Sequence, residues 1–253
     1  MDVLAIGLSG VEAALPTSLY LQLSQRDVIA EDEKLALLAM FGHEKSFAAS
    51  QEMVAQGGRP STSMLLVDGF AGRFKTLSHG ERQITAIHVP GDFLDLHGFL
   101  LKTLAHGVMA LSRSRIALVA HSTLRKISED MPHLSRMLWL STLIDGSVHR
   151  EWLVAMGRRS SEGHLAHLLC ELFVRLQVVE KTDGMSFRLP MTQAALADVL
   201  GISVVHANRT LQNLRKRNVM TWDGSRIHID DWDGLQEIAE FDPTYLCLTQ
   251  VPR

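Results

Sequence analysis

Residues 191–217 (MTQAALADVLGISVVHANRTLQNLRKR) constrain the fold most, because their spacing predicts two short helices joined by a sharp turn. Thr192 can cap the first helix, and Gly201 can adopt the left-handed backbone that ends it. Ser203 can cap the second helix. Apolar residues of the first helix recur at helical spacing: Ala195, Leu196, Val199 and Leu200. The segment is therefore predicted to be a helix-turn-helix.

The second helix of this segment is predicted to contact DNA. Its apolar residues are spaced by three, four and three positions, which predicts a buried stripe: Val204, Ala207, Leu211 and Leu214. An α-helix fits the major groove, where arginine can bond guanine and asparagine or glutamine can bond adenine. The predicted DNA-contacting residues are Thr192, Gln193, Ser203, Val204, Val205, His206, Asn208, Arg209, Gln212 and Lys216.

Positive charge is concentrated in the same region, although the whole chain has a net charge of −3. Between positions 188 and 217 one acidic residue, Asp198, stands against Arg188, Arg209, Arg215, Lys216 and Arg217. This excess favours contact with phosphates. A helical hairpin that only packs within the protein is the alternative interpretation.

The sequence that follows, VMTWDGSRIHI, predicts a β-hairpin. Asp223 and Gly224 form a tight-turn pair between two β-prone segments. A helix-turn-helix followed by such a hairpin is a winged helix.

The segment 46–119 has a different pattern, because its apolar runs are short and are interrupted by turn residues. The interruptions are QGGRP, Asp68-Gly69, His79-Gly80 and Pro90-Gly91-Asp92. Several strands at this spacing predict a small β-barrel or roll.

A long helix is predicted from about Pro132 to Arg159, since proline is favoured at the first helical position. One row of positions is spaced alternately by four and three residues, as in a coiled coil. We therefore predict a dimer helix, although a helix that merely covers the barrel would also have a wide apolar face, and Asp145 is out of place in a coiled-coil seam. The predicted dimer residues are Leu134, Leu138, Ser141, Asp145, Val148 and Trp152, and the row continues to Ala155.

Composition limits the class of protein. The chain has 253 residues, of which 46% are hydrophobic, so it can bury substantial cores. It contains no apolar run of about 20 residues, and its first residues lack the positive charge of a secretion signal, so a cytoplasmic location without membrane contact is expected. Cys170 and Cys247 are expected to be free thiols.

Taken together, the segment PGDFLDLHGFL, the long helix and GISVVHANRTL followed by a wing resemble the Crp/Fnr superfamily of bacterial transcription regulators. The resemblance implies an α+β fold with a cyclic-nucleotide-binding-like β-roll (a jelly roll), a central dimerisation helix and a C-terminal winged helix-turn-helix. It also implies a homodimer that binds palindromic double-stranded DNA and contacts RNA polymerase. The predicted parts are an N-terminal helical arm (1–35), a sensor domain (36–130), the dimer helix (131–159) and the DNA-binding domain (160–253).

The sensor region departs from relatives that bind cyclic AMP. The Gly-Glu-Leu motif is replaced by Asp95-Leu96-His97, and Leu104-Ala105 align with the Arg-Ser pair that holds the phosphate. A buried phosphate needs a cation or oriented donors, so cyclic AMP is disfavoured. The predicted pocket of an unidentified effector comprises Gly91, Asp92, Asp95, Leu96, His97, Leu104, Ala105 and His106.

Other family cofactors can be assessed by counting ligands. The iron–sulfur cluster of the oxygen-sensing branch needs four cysteines, and this chain has two, which excludes it. Haem would need a histidine of the barrel, and isolated histidines are more often structural. The histidines concerned are His79, His88, His97, His106 and His121. No cofactor is therefore predicted, and haem stays open as the alternative.

The recognition helix also differs from its relatives, which commonly carry a glutamate where this chain has Val205, while the following arginine is kept as Arg209. Glutamate accepts a hydrogen bond from cytosine, whereas valine can only contact an apolar group such as a thymine methyl. We therefore predict a half-site that differs from the usual family sequence at this position.

Two other functions are alternative interpretations of this sequence. One is a constitutive DNA-binding regulator whose β-roll serves only for interaction or dimerisation. The other is a cupin-like metal enzyme, which typically uses a His-x-His pair that this chain lacks, so no enzymatic activity is predicted.

Overall fold

The computed structural model describes residues 17–253. The predicted N-terminal arm falls partly outside these residues, because positions 1–16 are not described. Its described part contains α1 (Thr17–Ser24) and α2 (Glu31–Ala39). Leu19, Leu23 and Leu37 pack in one apolar cluster with the long central helix. The arm is thus held against the rest of the protein by burial of apolar surface.

Two antiparallel sheets form the β-roll. One has the strand order β1-β7-β3 and the other β2-β6-β4-β5. The bounds are β1 (Glu44–Phe47), β2 (Glu52–Val54), β3 (Thr62–Asp68), β4 (Ala71–Thr76), β5 (Arg82–His88), a short α3 (Gly98–Leu101), β6 (Gly107–Ala110) and β7 (Ser114–Ala120). The roll therefore lies where the short apolar runs predicted strands.

Gly91 shows why the turn after β5 requires glycine. Its φ is +95°, a conformation that L side chains rarely adopt. A Cβ there would also lie 2.8 Å from the backbone of Ser18 in α1. This turn is consequently pressed closely against the N-terminal helix.

Helix α4 (His121–Asp130) leads into the central helix α5 (Pro132–Arg158), which has Pro132 in its first turn as expected. The row predicted to form the dimer seam is mostly turned inward: Leu134, Leu138, Val148, Trp152 and Ala155 are buried. These residues join apolar clusters with the β-roll, with α1 and with the helix after α5. Other elements of the same chain already cover this face. The 4-3 spacing therefore identified the face of α5 that packs within the chain.

The C-terminal part contains α6 (Ser161–Val178), α7 (Gln193–Leu200), α8 (Val204–Lys216), α9 (Trp232–Ala239) and a 3₁₀ turn (Pro243–Leu246). Its sheet has the order β10-β11-β9-β8 and is antiparallel. The strands are β8 (Thr182–Asp183), β9 (Ser186–Arg188), β10 (Met220–Asp223) and β11 (Arg226–Ile229). Helices α7 and α8 with the β10–β11 hairpin form the predicted winged helix.

The largest apolar cluster extends across both halves of the molecule. Ile84 and Met109 of the β-roll belong to it together with Leu169 of α6 and Leu200 of α7. Cys170 also lies in this core as a free thiol, where burial raises its pKa to about 12, and Cys247 is a free, half-buried thiol. Within residues 17–253, no helix is long and apolar enough to cross a membrane.

Candidate DNA interface and effector cavity

The helix-turn-helix is fixed by the caps that the sequence predicted. The Thr192 hydroxyl accepts a hydrogen bond from the main-chain N–H of Ala195 at 3.1 Å. The Ser203 hydroxyl accepts one from the N–H of His206 at 3.2 Å. Gly201 has φ +66°, the left-handed conformation that ends α7. Local side-chain chemistry therefore sets the angle at which α8 leaves the turn.

The outer face of α8 is available to a partner. Val205 is 81% exposed, and Arg209, Gln212 and Lys216 are also exposed. His206 and Asn208 are half-buried at the edge of this face. Of the predicted buried stripe, Ala207, Leu211 and Leu214 are buried, but Val204 is 42% exposed because it lies in the first turn, before α8 meets the core. Thr192, Gln193 and Ser203 are exposed beside this face.

The basic residues at the end of α8 divide into two groups. The guanidinium of Arg215 donates to the carbonyl of Trp222 in the wing, and Arg217 donates to Glu162 at 3.0 Å. Within the described chain, the side chains of Arg209 and Lys216 form neither a hydrogen bond nor an ion pair. These two cations thus keep their full bonding capacity for phosphate oxygens or base edges.

The wing lies next to this face and carries one acidic residue, Asp223, and one basic residue, Arg226. Strands β10 and β11 pair from Met220–Ile229 to Asp223–Arg226, which places the turn at Gly224 and Ser225. Arg226 is exposed at the base of the turn and pairs with Asp183 at 2.7 Å. The hairpin is therefore positioned to contact a DNA backbone beside α8.

A cavity lies between the β-roll, α5, α6 and the segment after α9. Its lining includes four predicted pocket residues, namely Gly91, Asp92, Leu96 and His97. The other four are elsewhere: Asp95 and Leu104 are buried in the roll, Ala105 is exposed, and His106 packs beside His97 with ring centroids 5.1 Å apart. The sequence thus located one wall of the cavity and missed the others.

Arg73, which sequence analysis did not identify, connects the β-roll to the central helix. Its guanidinium donates to the carbonyl of Leu94 at 2.7 Å and to the carboxylate of Asp145 at 2.5 Å. The Arg73 charge lowers the pKa of Asp145 against the raising effect of burial. This pair explains the acidic residue in the apolar helix, because Asp145 meets a buried cation and not a second helix.

A second buried network joins the turn after β5 to α6. Arg175 donates to Asp92 at 2.5 Å and to Glu171 at 2.8 Å. Burial raises the pKa of Asp92, but Arg175, His88 and the N–H of Val89 together lower it by more, so the net pKa is well below the usual range. Glu171 also accepts hydrogen bonds from Trp152 and Tyr245. Burial raises the pKa of Glu171, and the three donors Arg175, Tyr245 and Trp152 oppose this by favouring its ionised form.

The β-roll also contacts the helix-turn-helix directly. Arg82 at the start of β5 donates through two nitrogens to Asp198 of α7, at 2.8 and 2.6 Å. Gln83 donates to the carbonyls of Asp198 and Val199 at 2.8 and 3.1 Å. These bonds and the shared core fix the position of α7 relative to the roll.

Among the barrel histidines, His97 and His106 pack against each other. Burial lowers the pKa of His97 to about 4 and that of His106 to about 3. His121 lies 3.3 Å from Ser63, and exposed His79 pairs with Glu81. In residues 17–253, no three side chains of histidine, cysteine, aspartate or glutamate are grouped so that they could hold a metal ion.

The residues aligned with the cyclic-nucleotide phosphate site do not fit a phosphate. Leu104 is fully buried, and its main-chain N–H donates to the carbonyl of Gly58. Neither Leu104 nor Ala105 has a donor side chain, and the nearby cation of Arg73 already bonds Asp145. A cyclic phosphate would therefore be desolvated here without compensation.

The outward face of α5 carries a second row of 4-3 spacing. It consists of Trp139, Leu143, Gly146, Arg150, Leu153 and Gly157. Trp139 is 65% exposed and Leu153 is 66% exposed, with Val154 and Met156 beside them. An apolar row of this length on a long helix is a candidate surface for a second helix.

Comparisons with known proteins identify related sequences and folds. The Crp-like helix-turn-helix domain family matches residues 163–238, and the cyclic nucleotide-binding domain family matches residues 44–130. The transcriptional activator protein FnrL of Cereibacter sphaeroides is 27% identical over 216 residues, which cover 84% of this chain and 86% of FnrL. The transcriptional activator protein Anr of Pseudomonas aeruginosa is 23% identical over 181 residues, or 71% of this chain and 74% of Anr. The structure of FixK2 from Bradyrhizobium japonicum has a TM-score of 0.69 at 24% identity and covers 78% of this chain and 96% of FixK2.

Proposed function

Because this chain belongs to the Crp/Fnr family of transcription regulators, whose members are not enzymes, we propose that it binds a palindromic promoter site as a homodimer. The observation that carries the proposal is the outer face of α8, where Arg209, Gln212 and Lys216 are exposed. Arg209 bonds a guanine edge, Val205 packs against a thymine methyl, and Lys216 contacts phosphate.

Two copies associate through the outward row of α5. Trp139, Leu143 and Leu153 supply apolar surface, and Gly146 and Gly157 let the two helices approach closely. A two-fold axis through this contact presents two α8 helices to two half-sites of one DNA molecule. The dimer residues are thereby moved from the predicted row to the opposite face of the same helix.

The proposal extends to the cellular setting. Promoter DNA and RNA polymerase lie in the bacterial cytoplasm, where the dimer would contact both. FnrL and Anr are named transcriptional activators, which supports a polymerase contact for this chain as well. We propose the same four parts as before: the N-terminal arm (1–35), the sensor domain (36–130), the dimer helix (131–159) and the DNA-binding domain (160–253).

Control by a small molecule is supported by the cavity between the two halves. A constitutive regulator is the second candidate, and the Arg73–Asp145 pair favours it, since this pair already joins the β-roll to α5 without a ligand. The two candidates differ in whether a small molecule changes DNA affinity.

The proposal is tested by selecting binding sites from random DNA with the purified chain and measuring affinities by fluorescence anisotropy. We expect a palindrome whose half-site differs from the usual family sequence at the position facing Val205. Recovery of the usual half-site with undiminished preference would contradict the role of Val205, and recovery of an unpaired half-site would contradict the dimer.

The dimer contact has its own test by analytical ultracentrifugation. Leu153→Glu places a charge in the outward row and is expected to give monomers that lose palindrome affinity. The matched control is Leu101→Glu, since Leu101 is 67% exposed but lies on α3. Retention of the dimer by Leu153→Glu would show that another surface joins the subunits.

A further inference from the structure

Part of the cavity lining comes from elements outside the β-roll. Arg26 follows α1, Val178 ends α6, and Leu246 and Leu248 belong to the segment after α9. His88, at the end of β5, is a lining residue from the β-roll. We refer to these five residues as the Arg26 subsite.

Arg26 is a buried cation with an unused donor. It is more than nine-tenths buried, and its terminal nitrogens donate to the carbonyls of Gln22 and Leu246. Its Nε donates to no atom of the described residues, and no carboxylate among them lies within 4.0 Å of its guanidinium. Burial accordingly lowers the pKa of Arg26 to about 10. A guanidinium in such a place is strongly stabilised by a carboxylate that accepts from it.

The nearby carboxylate is already occupied by other donors. Asp92 accepts from Gln22 at 2.9 Å, from the N–H of Val89 at 2.9 Å and from Arg175 at 2.5 Å. Turning Asp92 toward the Nε of Arg26 would break the link between the β-roll and α6. Asp92 is therefore not free to serve as the acceptor for the Nε of Arg26.

His88 has the complementary deficiency. Its Nδ1 lies 3.5 Å from Asp92, and its buried Nε2 contacts no polar atom of residues 17–253. Burial, aided by the charge of Arg73 and opposed by Asp92 and Asp145, lowers the pKa of His88. A neutral imidazole with its proton on Nδ1, facing Asp92, leaves Nε2 as an acceptor that requires a donor.

We propose that the Arg26 subsite binds a small 2-hydroxycarboxylate. Its carboxylate accepts from the Nε of Arg26, its hydroxyl donates to the Nε2 of His88, and its remaining carbon atoms pack against Val178, Leu246 and Leu248. The whole cavity, of which the subsite is one part, has a volume of about 70 Å³. At roughly 10–15 Å³ for each water-sized group, it accommodates about six non-hydrogen atoms, the size of lactate.

The subsite deepens the proposed function, because it assigns an effector class to a regulator of this kind. Its residues come from the N-terminal arm, the β-roll, α6 and the segment after α9. A molecule bound there contacts both halves of the chain and favours the domain arrangement described above. Occupancy of the Arg26 subsite by a ligand thus influences the position of α8.

The test is isothermal titration calorimetry of the full-length protein with lactate and with propionate, which lacks only the hydroxyl. Sodium chloride at equal ionic strength is the blank. We expect one site per chain and about fivefold tighter binding of lactate, the effect of one additional buried hydrogen bond. Absence of saturable lactate binding, or equal affinity for the two acids, would overturn the proposal.

Two variants locate the contacts. His88→Asn keeps an N–H where Nδ1 bonds Asp92 but removes Nε2, and it is expected to erase the preference for lactate over propionate. Arg26→Gln is expected to abolish binding of both acids, with Arg125→Gln on exposed α4 as the matched control. If Arg26→Gln does not fold, the proposal is decided by the affinities of His88→Asn for lactate and propionate. An unchanged preference of His88→Asn for lactate would refute the assignment.

Titration of promoter DNA, measured separately, keeps the two proposals distinguishable. A protein that binds a palindrome but no 2-hydroxycarboxylate refutes the subsite and retains the regulator. A protein that binds lactate but no palindrome retains the subsite and refutes the paired half-sites.

Discussion

The outer face of α8 and the buried charge network between the two halves use similar side chains in opposite ways. Arg209 and Lys216 are exposed on one helix and have no partner within the described chain. Arg73 is buried and the side chain of Arg175 is only 14% exposed, and the two pair with carboxylates 72 and 83 positions away. The first region holds cations available for a partner, and the second uses its cations to join distant elements.

The difference teaches that burial decides what a charged residue can do. An exposed cation keeps its hydration until a phosphate or base replaces the water, so its removal should affect binding and leave folding intact. A buried cation has lost its hydration and depends on its protein partners, so its removal should affect folding first. Four variants test this division.

The largest effect is expected for Arg175→Met. It leaves Asp92 and Glu171 buried without their shared cation, and we expect the free energy of unfolding to fall by about 3–5 kcal/mol. Chemical denaturation measures this change. The matched control is Arg226→Met, which breaks an exposed pair with Asp183 and should cost at most about 1 kcal/mol. Similar losses in the two variants would remove the distinction between the regions.

The next largest effect is expected for Asp95→Asn, and this effect on the free energy of unfolding depends on pH. Burial raises the pKa of Asp95 from 3.8 to about 6, against smaller lowering effects of the Met64 N–H and Arg73. As pH rises from about 3 to 7, the unfolded chain releases this proton first, so the folded wild type loses stability. Relative to Asp95→Asn, the loss should be about 3 kcal/mol, measured by denaturation across that range. Parallel stability profiles of the two proteins would show that Asp95 does not titrate in this way.

Arg209→Ala tests the exposed region. We expect a loss of about 1–3 kcal/mol in binding to the cognate palindrome, with relaxed preference at one base of each half-site. The melting temperature should remain close to that of the wild type because Arg209 has no partner in the described chain. Anisotropy with cognate and single-base variant DNA measures the first effect, and calorimetry checks the second.

Lys216→Ala should give the smallest effect. A phosphate contact lowers affinity for all sequences alike and reduces the dependence of log affinity on log salt by about one. Affinities for cognate and scrambled DNA at several salt concentrations measure both quantities. If Lys216→Ala changed base preference as Arg209→Ala does, the two residues would share one role.

Much of the helix-turn-helix could be predicted because its determinants are local. Thr192 and Ser203 cap the two helices, and Gly201 turns between them, all within twelve residues of sequence. The burial of Ala207, Leu211 and Leu214 followed from helical spacing alone. In such a segment the chemistry of near neighbours determines the geometry.

The function of α5 and the cavity walls could not be predicted in the same way. A 4-3 spacing identifies an apolar face, but α5 has two such faces, and only the three-dimensional fold shows that Leu138 and Trp152 are covered within the chain. In the sequence, nothing distinguishes Arg73 from other arginines in strands. Its role depends on Asp145, which is 72 positions away and reaches Arg73 only in the folded chain. Contacts of this kind are set by long-range packing, for which a single sequence carries no local signal.

The apolar cluster that runs from Ile84 and Met109 to Leu169 and Leu200 has an evolutionary consequence. Domains joined by a polar linker can be exchanged between proteins, since neither has surface that depends on the other. Here, recombination at the start of α6 would attach a winged helix to a foreign β-roll and leave both halves of the cluster mismatched. The sensor and the DNA-binding half of this lineage are therefore expected to have been inherited together, with substitutions on one side of the cluster compensated on the other.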